Sequence, residues 1–154
     1  MKQLSMHTPL GDITIFEDAD AIVALDWGWS STQQPSALLL NAKQQLDEYF
    51  DGDRSSFALP LAPRGTAFQA RVWGVMATIV AGKTMTYGDI AAKIHSNPRP
   101  VGSACGKNPI PILIPCHRVL ASGGLGGYSG EGGLETKQAL LALEGALAVS
   151  PFYD

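Results

Sequence analysis

A chain of 154 residues, 45 % of them hydrophobic, is long enough to bury a core as one ordinary domain or as two small halves. It has no run of about eighteen apolar residues that would span a membrane and no signal-peptide stretch at its start, its only cysteines are Cys105 and Cys116, and its three histidines and two cysteines fall at no metal-ligand spacing. The expectation is a cytoplasmic chain with reduced thiols and neither metal nor membrane partner, and the net charge of −3 divides unevenly: residues 1–60 hold three Lys/Arg against nine Asp/Glu, residues 61–154 eight against five, so any polyanion contact belongs to the second half.

The runs Asp12 to Glu17 and Ala21 to Trp27 alternate about Asp18-Ala19-Asp20, which predicts a β-hairpin. After Pro35, the spacing of Leu38, Leu39, Ala42, Leu46, Tyr49 and Phe50 predicts a helix over 36–50, ended by Asp51-Gly52-Asp53. Residues 51–65, with Pro60, Pro63 and Gly65, read as a linker on the surface. The predicted division is therefore an N-terminal α/β domain with linker at 1–65 and a second domain at 66–154.

Thr66 and Gln69 form a capping-box pattern, and Phe68, Val72, Val75, Met76 and Ile79 make one apolar stripe that Gly82 stops. A second such pattern, Thr86 with Asp89, opens a short helix with Ile90, Ala91 and Ile94 inward, closing near Ser96-Asn97-Pro98. A third helix is predicted from Arg99 to Lys107, rich in Gly102, Ser103, Ala104, Cys105 and Gly106. Two short helices joined by a tight turn suggest helix-turn-helix. The small side chains suit close approach either to a minor groove or to a neighbouring helix.

Residues 108 to 119 end in Pro115-Cys116-His117-Arg118-Val119. A thiol beside an imidazole, rigidly held after an apolar stretch, is either an activated nucleophile with its base or a quiet buried cysteine. The glycine-rich 122–133 segment must be a loop; no Gly-Lys-Ser/Thr follows it, so closure over a planar ligand fits better than a phosphate cradle. A last helix is expected over 134–145. On it Glu144 follows Leu140 by four residues and shares its inward face, although a glutamate there is ordinarily a surface residue.

Five segments in order, Arg71-Val72-Trp73, Thr86-Tyr87-Gly88, Arg99-Pro100-Val101-Gly102, Asn108-Pro109 leading into Pro115-Cys116-His117-Arg118-Val119, and Leu140 to Gly145, resemble the methylated-DNA-protein cysteine methyltransferases, also called O6-alkylguanine-DNA alkyltransferases. The resemblance implies an α/β fold: a small N-terminal RNase H-like α/β domain followed by a mainly α C-terminal domain with a helix-turn-helix. It implies DNA repair by direct damage reversal, an irreversible, single-turnover transfer of a methyl or alkyl group from O6-alkylguanine to Cys116, with O4-alkylthymine a further candidate substrate. It also implies that His117 deprotonates Cys116 through a water, that Glu144 orients His117, and that Asn108 supports the turn. Arg99 would fill the stack vacated by a flipped nucleotide, Tyr87 would rotate the phosphate and bond the base, Val119 and Ser129 would contact its edges, and Pro111 would form a pocket wall. The implied partner is double-stranded DNA bound through its minor groove by a monomer, with no cofactor.

Arg99 departs from the family pattern in lying between Pro98 and Pro100, which a first helical turn tolerates. The loop between Tyr128 and Lys137 is longer than usual, and the first half lacks the cysteines and histidines that hold a structural zinc in some relatives. Three other classes compete. An alkyltransferase-like lesion-binding protein lacks the acceptor cysteine, a Cys-His hydrolase needs an oxyanion hole, and a helix-turn-helix regulator needs a basic recognition helix.

Overall fold

The structure is a computed structural model that describes residues 1–128 and 132–146. It divides into two compact units, Met1–Arg64 and Gly65–Asp154. The first is a three-stranded antiparallel sheet with one helix and the second is mainly helical, so the chain is of the mixed α/β class.

In the first unit β1 (Lys2–Thr8), β2 (Gly11–Asp18) and β3 (Ala21–Trp27) pair in sequence order. The predicted hairpin is β2–β3. Ala19 and Asp20, at φ 49° and 63°, supply the left-handed pair that a two-residue turn needs to match strand twist. β1 was not anticipated, because its alternation is masked by a buried serine. Ser5 lies opposite Thr14, and their hydroxyls share a 2.8 Å hydrogen bond. That polar face is roofed by residues 28–34: the Ser30 N–H and the Gln33 amide donate to Ser5 Oγ, and Thr14 Oγ1 donates to the Gly28 carbonyl. Met6, Ile13, Ile15 and Leu25 are buried on the apolar face.

α1 (Ala37–Phe50) starts where Ser36 accepts from the Leu39 N–H, a cap worth about 1 kcal/mol, and packs against β1 and β2 with Leu39, Ala42, Leu46 and Tyr49 buried. The predicted linker is partly structured. Ile22 donates to the Pro60 carbonyl at 2.9 Å and accepts from the Ala62 N–H at 2.8 Å, which fastens residues 60–62 along β3.

In the second unit α2 (Ala67–Met76), β4 (Met85–Thr86), α3 (Tyr87–Ile94), α4 (Pro98–Gly106), β5 (Val119–Leu120) and α5 (Leu134–Leu143) follow in order, with a 3₁₀ turn at Cys116–Arg118. Both capping boxes form in full, at Thr66/Gln69 and Thr86/Asp89. α2 ends six residues before Gly82. The Thr78 hydroxyl bonds the Val75 carbonyl, the Thr78 and Ile79 N–H groups take tight i−3 partners, and Thr78-Ile79-Val80 is a β-branched run that disfavours continuation. His95 closes α3 in the left-handed conformation, and Arg71 donates to the last α3 carbonyl, Ile94, at 2.7 Å.

α4 begins at Pro98, one residue earlier than the pattern predicted, and proceeds through Pro100 unbroken because both prolines lie in the first turn. Its small residues split between the two uses left open above. Val101, Ala104 and Cys105 pack inward, where the Trp73 indole donates to the Ala104 carbonyl at 2.8 Å; Ser103 and Gly106 face solvent and Gly102 is half-buried. Among the described residues no helix is long and apolar enough to cross a membrane.

Candidate active site

The parallel pair β4–β5, Met85 with Val119 and Thr86 with Leu120, sets the start of α3 beside the Cys-His turn. Tyr87 is the first residue of α3 and Cys116 the first of the turn, so a two-residue ladder fixes their neighbourhood.

Asn108 braces the approach to the turn. Its amide donates to the Ile114 carbonyl at 2.8 Å while its carbonyl accepts from the Ile110 N–H at 2.9 Å. The same Ile114 carbonyl accepts from the Cys116 N–H at 2.8 Å. Ile112 sits at φ 74°, a left-handed conformation that is strained for a β-branched residue and that the buried 110–119 run holds in place.

Behind the thiol lies a fully buried polar group. His117 Nε2 lies 2.7 Å from Glu144 Oε2, and Arg118 donates to both oxygens of the same carboxylate at 2.8 Å while its remaining nitrogen donates to the Ile79 carbonyl. The Glu144 side chain is 1 % exposed and that of His117 is 0 % exposed. Burial lowers the His117 pKa against the opposing pull of Glu144, so the ring is neutral at neutral pH. A neutral imidazole facing a carboxylate carries its proton on Nε2, which leaves Nδ1 a lone pair. That atom is buried and, among the described residues, has no hydrogen-bond partner.

Burial pushes the Cys116 thiol up, while the Asn108 hydrogen bond and the Lys137 charge pull it down. Lys137 is fully buried. Its ammonium donates to the Val119 carbonyl at 2.6 Å and to the Gly127 carbonyl at 2.9 Å, pinning the glycine-rich loop to β5. Burial brings its pKa down to about 8, against the opposing pull of the two thiols. Neither Arg118 nor Lys137 was singled out from sequence. The signal for Lys137 is in the sequence: residues 137, 140, 141 and 144 make one i, i+3, i+4, i+7 stripe, of which the pattern above uses only Leu140 and Glu144.

A cavity of about 250 Å³ opens at Cys116. Tyr87 lines it from α3, Gly102, Cys105 and Gly106 from α4, and Gly127 and Tyr128 from the loop. Of the residues expected to meet a base, Tyr87 is therefore on the cavity wall. Pro111 and Val119 are buried but do not line it, and Arg99 is exposed in the first turn of α4. Ser129 lies outside the described residues. Among the described residues no group of three His, Cys, Asp or Glu side chains could hold a metal ion.

Residues 67–146 match the family model described as the 6-O-methylguanine DNA methyltransferase DNA binding domain, and residues 1–63 match that family's ribonuclease-like domain. The chain belongs to the 6-O-methylguanine DNA methyltransferase family. Among similar proteins, the constitutive methylated-DNA–protein-cysteine methyltransferase of Bacillus subtilis is 42 % identical over 152 residues, covering 90 % of this chain and 92 % of its own. That of Metallosphaera sedula is 40 % identical over 94 % of this chain and 93 % of its own. Among solved structures, Mycobacterium tuberculosis OGT in complex with DNA superposes with a TM-score of 0.85 at 37 % identity, over 95 % of this chain and 94 % of that one. The five matching segments fall within unit 2, and the family's ribonuclease-like domain covers the sheet and α1.

Proposed function

We propose that this methyltransferase repairs O6-alkylguanine in DNA, with Cys116 as the once-used acceptor. The observation that carries this is a cysteine on the wall of a cavity, backed by a His-Glu-Arg group in which burial keeps the imidazole neutral and Glu144 holds its proton on Nε2. His117 Nδ1 takes the thiol proton, through a water where the two atoms do not touch. The sulfur then attacks the alkyl carbon from the side opposite O6. The S–C bond forms as the C–O6 bond breaks, and the proton returns to the departing guanine, leaving a neutral base and a thioether. The thioether does not give its alkyl group up again, since Cys116 thiolate would have to be the leaving group, so the acceptor is consumed.

Reaching O6 requires the nucleotide to leave the duplex, at a cost of a few kcal/mol of unstacking. We assign Arg99, exposed at the head of α4, to the vacated place in the stack, and Tyr87 to the flipped base. The half-buried Gly102 and exposed Ser103 and Gly106 give α4 a low-relief face suited to the minor groove. Val119, Ser129 and Pro111 are proposed to contact the base once it is seated. We place the protein in the cytoplasm as a monomer, where a reduced thiol persists; O4-alkylthymine is a second candidate substrate. Lesion binding without transfer goes with replacement of the acceptor cysteine, and Cys116 is present.

The test is incubation with an oligonucleotide carrying one O6-methylguanine. The tryptic peptide 108–118 should gain one methyl group, and Cys116→Ser should abolish the gain while retaining DNA binding. Unmodified peptide after excess substrate overturns the assignment.

A further inference from the structure

The transfer uses one thiol, yet two cysteines border the cavity. Cys105, on the last turn of α4, is buried and lines the same space as Cys116. Both residues border this one cavity, and a disulfide requires their Cα atoms to come within about 7 Å. The backbones are tied to one residue: the Asn108 N–H donates to the Cys105 carbonyl at 3.2 Å, and the Asn108 side chain shares the Ile114 carbonyl with the Cys116 N–H. Cys105 Sγ now contacts Met76 Sδ at 3.6 Å, a weak bond that a χ1 rotation breaks. Burial, and after it the neighbouring Cys116, push the Cys105 thiol up to about 12, so Cys105 keeps its proton and does not compete for the alkyl group.

We infer that Cys105 is the resolving partner of Cys116, forming with it a reversible disulfide when the acceptor is oxidised by hydrogen peroxide. The inference rests on the reading of Cys116 as the activated thiol. In the first step the Cys116 sulfur attacks one peroxide oxygen and becomes a sulfenic acid; the O–O bond breaks, and the released hydroxide takes up the Cys116 thiol proton and leaves as water. In the second, Cys105 sulfur attacks that sulfenic sulfur. The S–S bond forms, the S–O bond breaks, and the retained Cys105 proton leaves with the hydroxyl as water. Two thiols lose two electrons and one peroxide becomes two waters; an external thiol reductant reverses the change. Without a partner, the sulfenic acid proceeds to sulfinic acid, which thiols do not reduce. For a protein spent after one transfer, this keeps the unspent acceptor recoverable.

Trypsin separates the two cysteines into peptides 94–107 and 108–118, because the Arg99–Pro100 bond resists cleavage. The full chain is exposed to hydrogen peroxide, digested without reductant, and assayed for methyl transfer before and after dithiothreitol. The expected result is a linked pair of these peptides lighter by two hydrogens, with transfer lost on oxidation and restored by dithiothreitol. Cys105→Ser and Cys105→Ala, each normalised to its own untreated activity, should form no linked pair, gain two oxygens on peptide 108–118, and recover several-fold less. Two results overturn the inference and leave the repair reading intact: sulfinic acid on wild-type Cys116 with no linked pair, or equal recovery in wild type and both variants. Failure of the untreated wild-type protein to accept a methyl group overturns the repair reading itself.

Discussion

His117 Nε2 and Glu144 Oε2 lie 2.7 Å apart across the join between the acceptor turn and the end of α5, and the same carboxylate is held on both oxygens by Arg118. A carboxylate shared in this way cannot swing toward solvent without breaking three bonds. The histidine is thus fixed in ring orientation and in tautomer.

Glu144→Gln should separate these roles. The amide can still accept one bond, but it leaves Arg118 a buried, uncompensated cation. Removing one partner of a buried pair costs about 3–5 kcal/mol, so the unfolding midpoint in urea should fall, and the single-turnover rate should drop by about 10²-fold or more because the His117 base loses its fixed orientation and tautomer. A variant with wild-type rate and stability would show that Glu144 neither orients nor neutralises anything.

The buried histidine sets a pH signature. Its folded-state pKa is below the ordinary 6.5, so between these values the unfolded chain binds a proton that the folded chain does not. The His117 contribution is complete above about pH 6.5 and is lost as pH falls below it. Urea unfolding of wild type and His117→Asn from pH 8 to pH 5 should show a gap that is constant above pH 6.5 and narrows below. A gap that widens toward acid would mean that the ring is charged in the fold.

Lys137→Met tests the loop clamp. It leaves the Val119 and Gly127 carbonyls without their donor, at about 1–3 kcal/mol for each group that stays dry, and removes the positive charge that favours the Cys116 thiolate. Transfer should slow, and amide exchange across residues 119–128 should accelerate. Unchanged exchange would sink the clamp.

Arg99→Ala should discriminate between flipping and chemistry. Repair of duplex O6-methylguanine should fall far more than reaction with free O6-benzylguanine, since only the duplex must be unstacked. Equal losses on both substrates would remove Arg99 from that role.

Much of this molecule can be read locally. The two capping boxes name their own helix starts, because Thr66 and Thr86 bond residues only three positions away. Cys116 and His117 are adjacent in the chain, so their pairing needs no fold. What escaped depends on partners distant in sequence. Arg118 reads as a surface arginine until α5 brings Glu144 to it from 26 residues away, and Lys137 reads as solvated until two carbonyls from other segments enclose it. β1 was hidden because its buried Ser5 is satisfied by Thr14 and by the loop at 28–34, a compensation no periodicity count contains. The early end of α2 was set by a threonine hydroxyl, where pattern reading looked for glycine.

The Ser5–Thr14 pair has a consequence for how the first unit avoids misassembly. Sliding β1 by one residue against β2 would turn Leu4 and Met6 toward the hydroxyl-lined roof and press Ser5 against the isoleucines, so both faces would lose at once. Most sheets with one wet face are guarded against slippage on one side only. Here a polar lock under a closed roof makes the neighbouring alignments costly from both directions, and the chain reaches a single strand pairing without relying on turn geometry alone.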